Sequence, residues 1–389
     1  MVCGLAAAVM MLGGTALPAY AEAVSSGSAA VSAVGKIVSG DAFCYRTEAN
    51  NEATILDLTE NAIDGEGVVK IPETIDGFTV TAIGTSVADF FRENWKTIKV
   101  VDFPSTIVEI TDDQGGYDDD IGIGYKNKKM LADPYDAMTF RYTVYKRNQA
   151  VTIKCTKGSP VEKYAIHNSV PYVYNNPKKT QLSRPIQRFS KTKCTAGYIK
   201  FGWFPVAGAG GYKIYRATET SAKIGKLKLI ATVKGGDNTV YKDTAVSADY
   251  RYRYVIKAFK KVNGKTYTSK NSDWYLCLKP RTPIVKDTKE FGFAVKRVKN
   301  NSYFLTAVEI YDYDDKKWYP VVVRWVKDKS DGYRYFTPRR YIVIDPDTLE
   351  CYGEDIDTAK KCKFRVRRSC CGQYSDYSKI IKWDPAKNK

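Results

Sequence analysis

Apolar and polar residues alternate in two short segments near the middle of the chain. The first segment contains Phe201 and Trp203, the second contains Tyr212 and Ile214, and Gly208–Gly211 lies between them. Alternation with a period of two indicates strands with one buried face. A phosphate-binding loop would continue with Lys-Ser/Thr and a helix. Because a strand pattern follows instead, the glycine-rich segment predicts a hairpin turn between the two strands.

Further short strand patterns follow as far as residue 280. They include Asn238–Thr244 and Tyr250–Phe259, and an Asn263-Gly264 pair marks a tight hairpin turn near the end. Short strands separated by turn signals predict an antiparallel β-sandwich over residues 184–280.

The last part of the chain, residues 281–389, repeats some of these patterns. Lys363–Arg368 is similar to the strand around Tyr254, and the segment 372–383 is similar to the last strand of the first sandwich. The segment 311–326 replaces the expected tryptophan strand and glycine-rich turn. We therefore predict a second, diverged sandwich.

An apolar-Pro-x-Thr-Ile unit occurs twice in the first half of the chain. Val68–Ile75 returns 32 residues later as Val100–Ile107. Repetition at a fixed interval of this length is the signature of a solenoid, in which each unit stacks on the next. The solenoid is predicted to close with a strand from Val151, a short helix and a last strand at 170–174. Ser159 is the expected N-cap of that helix.

Two family resemblances follow from these segments. VVKIPETIDGFTVTAIG, VVDFPSTIVEI and TIKCTKGSPVEKYAIHNSVPYVY resemble the BspA-type leucine-rich repeat family of bacterial surface proteins. Residues 184–280 resemble a fibronectin type III domain. This second resemblance implies that Trp203 is the core tryptophan and that the Tyr252 hydroxyl bonds the preceding corner. The implied fold is mostly β, a short leucine-rich-repeat-like α/β solenoid followed by two fibronectin type III-like sandwiches.

The N-terminus has the pattern of a secretory signal peptide. An apolar stretch is followed by Ala19-Tyr20-Ala21, a small-x-small cleavage site, although no Lys or Arg precedes the stretch. The alternative is a buried apolar helix. The predicted order is signal peptide (1–21), flexible leader (22–40), repeat module (41–174), linker (175–183), first sandwich (184–280) and second sandwich (281–389). We expect no transmembrane segment after signal removal.

The formal net charge is +18, and the signal segment contains no charged side chain. A basic exported protein meets anionic partners, among which wall polymers and acidic glycans are favoured over nucleic acid. The weak binding candidates are outward-facing residues of two strands, Arg251, Arg253, Arg365 and Arg367. The alternative is that these cations only solvate the strand faces.

The cysteine content permits disulfides. The chain has nine cysteines, and eight remain after Cys3, which precedes the apolar stretch, is set aside: Cys44, Cys155, Cys194, Cys277, Cys351, Cys362, Cys370 and Cys371. Cys194 and Cys277 lie on the first and last strands of the first sandwich and are the disulfide candidate. Cys351 with Cys362 or Cys370 is a weaker alternative. No pair has zinc-ribbon spacing, so no metal site is predicted among the thiols.

Candidate chemistry is sparse elsewhere. An acidic cluster, which we regard as a solvated loop or a weak calcium site, consists of Asp112, Asp113, Asp118, Asp119 and Asp120. Calcium sites often use alternate spacing and a late Glu, and the Asp-x-Asp-x-Asp-Gly spacing is absent here. The single histidine, His167, has no suitable nucleophile and carboxylate beside it in sequence. We therefore predict no catalytic residues, no cofactor and no enzyme activity.

The function predicted from these observations is non-enzymatic. We expect a secreted or surface-associated protein that mediates adhesion by binding an extracellular protein or glycan. The alternative is a carbohydrate-binding or wall-associated accessory module held on anionic polymer by its charge. A third hypothesis is an accessory fragment of a secreted hydrolase system.

Overall fold

The structure is a computed structural model. It describes residues 34–111, 120–126, 146–220, 224–248, 250–288, 291–298, 305–313, 316–328, 331–344, 351–371 and 373–386. These residues divide into an N-terminal unit, which ends at Asn176, and a C-terminal unit, which begins at Pro177. The proposed signal peptide and most of the proposed leader lie outside the described residues. No helix within the described ranges is both long and apolar enough to cross a membrane.

The N-terminal unit contains short strands and few helices. Its strands are β1 (Ile37–Ser39), β2 (Phe43–Glu48), β3 (Glu52–Leu58), β4 (Val68–Lys70), β5 (Thr74–Ile75), β6 (Phe78–Gly84), β7 (Val100–Asp102), β8 (Glu109–Thr111), β9 (Tyr125–Lys126), β10 (Lys146–Arg147), β11 (Thr152–Cys155) and β12 (Tyr172–Tyr174). Its α-helices are α1 (Ala88–Glu93) and α2 (Pro160–His167). Short 3-10 helices occur at Ala49–Asn51, Glu60–Ala62 and Thr85–Val87.

The 32-residue repeat places equivalent residues on neighbouring parallel strands. The sheet order is β12-β11-β7-β4, with Val69 opposite Val101 and Val101 opposite Ile153. All three side chains are fully buried, so they form one apolar row across the sheet. A second sheet, β1-β2-β3-β6-β5 with β8 on β6, contains the parallel pairs β3–β6 and β6–β8. This arrangement accounts for the repeat, while membership of the leucine-rich repeat family stays a prediction.

The end of the proposed leader is part of this second sheet. β1 (Ile37–Ser39) pairs antiparallel with β2, Ile37 lying opposite Arg46. The prediction of a flexible leader is therefore wrong for residues 37–39. The Ala/Ser/Gly-rich composition of the leader gives no strand pattern. Backbone hydrogen bonds to β2 nevertheless stabilise a three-residue edge strand.

The short helix α2 is capped as the sequence predicts. The Ser159 hydroxyl accepts a hydrogen bond from the Glu162 backbone N–H at 3.2 Å, and Tyr164 and Ala165 are buried. The Glu162 carboxylate is itself buried and accepts hydrogen bonds from the Gly158 backbone N–H and the Tyr174 hydroxyl. Helix α2 and strand β12 are thus joined through one buried, satisfied carboxylate.

The C-terminal unit contains only strands among its described regular elements. They are β13 (Gln187–Cys194), β14 (Ile199–Trp203), β15 (Gly211–Glu219), β16 (Lys228–Lys234), β17 (Val240–Asp243), β18 (Arg251–Val262), β19 (Lys265–Thr268), β20 (Trp274–Cys277), β21 (Val285–Asp287), β22 (Phe293–Lys296), β23 (Leu305–Asp312), β24 (Lys317–Asp328), β25 (Tyr333–Ile344), β26 (Cys351–Asp355), β27 (Cys362–Cys370), β28 (Gln373–Tyr374) and β29 (Ile381–Trp383).

Strands β13–β20 form the first sandwich, which confirms the antiparallel β-sandwich. One sheet has the order β13-β14-β17, and the other has the order β16-β15-β18-β19 with β20 also on β18. The core between them contains Trp203 packed against Tyr212, with ring centroids 5.0 Å apart. The Tyr252 hydroxyl accepts a hydrogen bond from the Ser247 backbone N–H at 2.7 Å, which is the corner bond that the family resemblance implies.

The glycine-rich segment is not a hairpin. Strands β14 and β15, which it joins, belong to different sheets. The segment therefore crosses from one layer to the other, and a period-two pattern on both sides cannot distinguish such a crossing from a hairpin. At Gly211 an added Cβ would lie 2.4 Å from the Val233 carbonyl oxygen, so the close approach explains the glycine. The Asn263-Gly264 turn between β18 and β19 is confirmed, both residues having positive φ.

Strands β21–β29 form the second sandwich, and their order repeats that of the first. β21-β22-β25 corresponds to β13-β14-β17, and β24-β23-β27 with β28 and β29 corresponds to the other sheet. Its core contains Phe293, Phe336 and Phe364. Here the two sheets are continuous through β24, whose first residues pair with β23 up to Pro320 and whose next residues pair with β25. Proline has no N–H to donate, which is a physical reason for β24 to leave β23 at this point.

Candidate functional site

The arginines predicted on the first sandwich have acidic partners. Arg251 donates two hydrogen bonds to Glu219, at 2.7 and 2.8 Å, and Glu219 is buried. Arg253 donates two to Asp273, at 2.7 and 2.6 Å. Both arginines lie on the outward face of β18, as predicted, opposite the buried Tyr252 and Tyr254 on its inward face. Their charges are balanced within the protein, so they offer an anionic polymer less than the sequence suggests.

The arginines predicted on the second sandwich lie between aromatic rings. The Arg365 guanidinium is 3.9 Å from the Tyr377 ring centroid and 4.3 Å from that of Trp318. Arg365 also pairs with Glu309 on the neighbouring strand β23. The Arg367 guanidinium is 4.2 Å from the Tyr374 ring centroid. These distances are within the range of cation–π attraction.

The same pattern continues along the face. Lys363 Nζ is 5.2 Å from the Tyr311 ring centroid and 4.8 Å from the Tyr313 ring centroid. The alternation of β27 places Lys363, Arg365 and Arg367 on one side and Phe364 and Val366 in the core. We call this surface the tyrosine–arginine face. It consists of Tyr311, Tyr313, Trp318, Lys363, Arg365, Arg367, Tyr374 and Tyr377.

Two serines fix the position of the tyrosines at 374 and 377. The Ser375 hydroxyl accepts a hydrogen bond from the Arg368 backbone N–H at 2.9 Å, and the Ser378 hydroxyl accepts one from the Val366 backbone N–H at 3.1 Å. Both serines are buried, so the residue preceding each is held beside β27 with its ring over an arginine. Strand alternation predicted the positions of Arg365 and Arg367 but not these rings. The spacing of Tyr374-Ser375 and Tyr377-Ser378 is the signal that could have found them.

The tyrosine–arginine face is accessible and chemically mixed. Tyr374 is 42% exposed and Tyr313 is 47% exposed, while Arg365 and Trp318 are half-buried. The Tyr377 hydroxyl donates to Glu309 at 2.7 Å, so this carboxylate orients both the ring and the guanidinium. The face can therefore offer flat apolar surfaces with hydroxyl and N–H donors in a fixed arrangement.

A cluster of thiols lies where strands of the two sandwiches meet. The Sγ atoms of Cys277, Cys370 and Cys371 all lie within 4.8 Å of one another. Cys277 donates from Sγ to the Cys370 carbonyl oxygen at 3.1 Å. Hydrogen bonds from Cys277 and Cys370 lower the pKa of the Cys371 thiol to about 4, which favours its thiolate form. This cluster was not predicted, because Cys277 lies 93 residues before Cys370 in the sequence.

The predicted disulfide partners, Cys194 and Cys277, have free thiols in this structure. Cys194 ends β13 and Cys277 ends β20, each at the end of a strand of the first sandwich. Burial, with a smaller contribution from the charge of Cys371, raises the pKa of the Cys194 thiol to about 11. Pairing of Cys194 with Cys277 stays a prediction. The side chain of Cys351 lies outside the described residues, so the alternative pairing is equally open.

The acidic cluster falls mostly outside the described residues. Asp112, Asp113, Asp118 and Asp119 are in the segment 112–119, which is not described. Asp120 accepts a hydrogen bond from Arg92 at 2.6 Å and another from the Tyr164 hydroxyl at 2.9 Å. Its carboxylate thus joins α1 to α2, and a calcium site here stays a prediction.

Groups suited to catalysis are not gathered around the depression described in the N-terminal unit. This open depression is lined by Phe91, Trp95, Ile98, Ile123, Gly124, Tyr125, Asn148 and Val151. Its lining contains no carboxylate, thiol or imidazole. His167 is exposed at the last position of α2. These observations give no chemical role to either feature.

Comparison with solved structures gives fibronectin type III proteins at low identity. A two-domain fibronectin type III segment of chicken tenascin is 12% identical over 52% of this chain and 98% of its own, with a TM-score of 0.27. The FN1–FN3 domains of chicken CNTN1 are 11% identical over 52% of this chain and 66% of their own, with a TM-score of 0.20. No protein-family model and no curated protein matches the chain.

Proposed function

We propose that the protein is a non-enzymatic binding protein that mediates adhesion through the tyrosine–arginine face. The observation that carries this proposal is the alternation of cations and aromatic rings on one accessible sheet face. Tyr, Trp and Arg are the residues that dominate the energetics of protein recognition surfaces. Their concentration on a scaffold strand is therefore the feature of the described residues that best fits recognition.

The construction of the face favours binding in a second way. Arg365 is held by Glu309 and by two rings, so its side chain is already ordered before a partner arrives. Ordering a long side chain on binding costs about 0.5–1.5 kcal/mol, and a preorganised face avoids that cost. The partner class that fits is an extracellular protein or a glycan with flat apolar and hydrogen-bonding surfaces.

The module organisation belongs to the same proposal. The N-terminal unit is proposed to be a BspA-type leucine-rich repeat module over residues 41–174, since its repeats pair in register as parallel strands. The proposed fibronectin type III-like modules cover 184–280 and 281–389. The signal-like N-terminus supports secretion, and the protein would then act outside the cell or at its surface.

Retention on anionic polymer is the second candidate function. The net charge of +18 favours it. The ion pairs of Arg251 and Arg253 weigh against these two residues as its binding stripe. Attraction to a polyanion falls steeply with added salt, whereas contacts through aromatic rings are much less sensitive.

The experiment is binding of the full chain to an array of glycans and matrix proteins, followed by affinity measurement on the strongest hit. The test variant is the double substitution Tyr374→Ala and Tyr377→Ala. The matched control is Tyr275→Ala, a tyrosine 40% exposed on the first sandwich with Arg251 over its ring. We expect the test variant to lose about tenfold or more in affinity and the control to lose little.

Two results would contradict the proposal. Equal affinity of the test variant and the wild type would exclude the tyrosine–arginine face as the contact surface. Complete release by moderate salt, with no effect of either tyrosine substitution, would instead favour the anionic-polymer function.

A further inference from the structure

The thiols of Cys277, Cys370 and Cys371 have the geometry of a metal-ligand set. The Sγ atoms of Cys370 and Cys371 are 3.8 Å apart, and all three Sγ atoms lie within 4.8 Å of one another. Two thiolates on a tetrahedral zinc ion, with Zn–S bonds of about 2.3 Å, are separated by about 3.8 Å. We propose that these three cysteines form a site for a thiophilic divalent cation, with Zn²⁺ as the expected metal.

The strands bring the three ligands to one point. Cys277 is the last residue of β20 and lies opposite Arg251 of β18, and Cys370 is the last residue of β27. Cys371 follows with a φ of 50°, an uncommon left-handed conformation for a residue other than glycine. The site is thus built on the ends of regular strands, which hold ligands more rigidly than loops do.

The burial of the three cysteines suits both the binding of a metal ion and its entry into the site. Cys277 is fully buried and Cys370 is 4% exposed, so two ligands are shielded from water. Cys371 is exposed, which gives an ion a path to the cluster. The guanidinium of Arg251, which also pairs with Glu219, supplies positive charge near Cys371 and helps to compensate a thiolate-rich site.

The metal would join the two sandwiches. Cys277 belongs to the first sandwich, and Cys370 and Cys371 belong to the second. An ion pair between Lys279 and Asp376, at 2.7 Å, lies close in sequence to the same strand ends. Because a metal that binds only the folded state stabilises it, we expect zinc to raise the temperature at which this part of the chain unfolds.

The three thiols leave one position of a tetrahedral zinc ion open, and water would complete the coordination.

The experiment titrates the reduced full chain with Co²⁺, a spectroscopic substitute for zinc, under anaerobic conditions. We expect thiolate-to-cobalt charge-transfer bands that saturate at one ion per chain and disappear when Zn²⁺ displaces the cobalt. Cys371→Ser should lose the bands, and because its side chain is exposed the variant is expected to fold. Cys277→Ser tests a buried ligand in the same way.

The matched control is Cys362→Ser, because Cys362 is a buried thiol at the opposite end of the same strand β27. It should keep the bands and the zinc-dependent rise in unfolding temperature. Absence of charge-transfer bands in the reduced wild type would overturn the proposal. So would a disulfide between Cys277 and Cys370 or Cys371 in protein purified without reductant, found by mass spectrometry together with failure of the reduced form to bind zinc.

Discussion

The two sandwiches have the same strand order but place their aromatic and charged residues differently. Each sandwich has two serines between its last two strands, and these serines allow the residues of the two sandwiches to be aligned. In the first sandwich the hydroxyls of Ser269 and Ser272 accept hydrogen bonds from the backbone N–H groups of Ala258 and Ile256. Ser375 and Ser378 do the same in the second sandwich for its strand β27, as described above. The residues of β18 and β27 can therefore be compared one by one.

The first sandwich has a polar network in its core, formed by Tyr254, Asp243 and Arg216. The Tyr254 hydroxyl donates to the buried Asp243 carboxylate at 2.8 Å, and Arg216 donates to the same oxygen at 2.7 Å. Burial and the Asp243 charge raise the pKa of Tyr254, so it stays a neutral donor. The equivalent of Tyr254 in the second sandwich is Phe364, which has no hydroxyl.

The second sandwich directs its polar and aromatic groups outward. Where the first has Val255 and Lys257, the second has Arg365 and Arg367. Where the first has Thr268 and Asn271 before its serines, the second has the two tyrosines of the tyrosine–arginine face. One scaffold, with its serine hydrogen bonds unchanged, thus contains a buried polar network in one copy and, in the other, the surface that we propose for recognition.

The largest expected effect comes from making the first core resemble the second. Tyr254→Phe removes a hydrogen bond to a buried charged group, which contributes about 1.5–3 kcal/mol. We expect the free energy of opening of the β18 amides, measured by hydrogen exchange, to fall by that amount while β27 is unaffected.

The control for this substitution is Tyr275→Phe, a partly exposed tyrosine on the adjacent strand β20. It should change the exchange of β18 much less. If Tyr254→Phe left the free energy of opening of β18 unchanged, the hydroxyl of Tyr254 would contribute nothing to stability. The difference between the two cores would then have no effect on stability.

The serine substitutions test what the two sandwiches share. Ser272→Ala leaves the buried Ile256 N–H without its side-chain acceptor, and Ser378→Ala does the same for Val366. The cost of an unsatisfied buried donor is about 1–3 kcal/mol. We expect similar losses in the two sandwiches, read from hydrogen exchange of β18 and β27 separately.

Substitution by threonine retains the hydroxyl and serves as the comparison for each serine. A large loss in one sandwich and none in the other would show that the two serine pairs are not equivalent, and the residue-by-residue alignment would then be wrong.

The sequence predicted local structure better than it predicted long-range contacts. Ser159 as N-cap, the Asn263-Gly264 turn and the inward face of β18 depend on a few neighbouring residues, and each is confirmed. The route of the chain after Trp203 depends on which sheet receives it, and here the hairpin prediction is wrong. Periodicity shows which face of a strand is buried, but does not show which strand lies beside it.

The candidate sites illustrate the same limit. Strand alternation was sufficient to place Arg251, Arg253 and Arg365 on outward faces. Their carboxylate partners lie at least 20 residues away in sequence, so the pairing could not be read from spacing. The thiol cluster needs two sandwiches to meet, and only the adjacent cysteines at 370 and 371 hinted at it.

The smallest expected effect separates stability from recognition on the second sandwich. Tyr374→Ala removes an exposed cation–π contact with Arg367. An exposed cation–π contact contributes about 0.5–1 kcal/mol. Its counterpart Thr268→Ala, at an exposed position of the first sandwich, should change stability by no more than about 0.5 kcal/mol. Hydrogen exchange of the β27 and β18 amides measures these two changes in stability.

A small stability loss for Tyr374→Ala, combined with the loss of binding expected for the double tyrosine variant, would assign the ring to recognition. A loss as large as that of Ser378→Ala would instead make Tyr374 a structural residue that holds Arg367 and β27 in place. The outward aromatic residues would then serve the same purpose as the inward network around Tyr254, because each would stabilise its own sandwich, and the functional contrast between the two copies would fail.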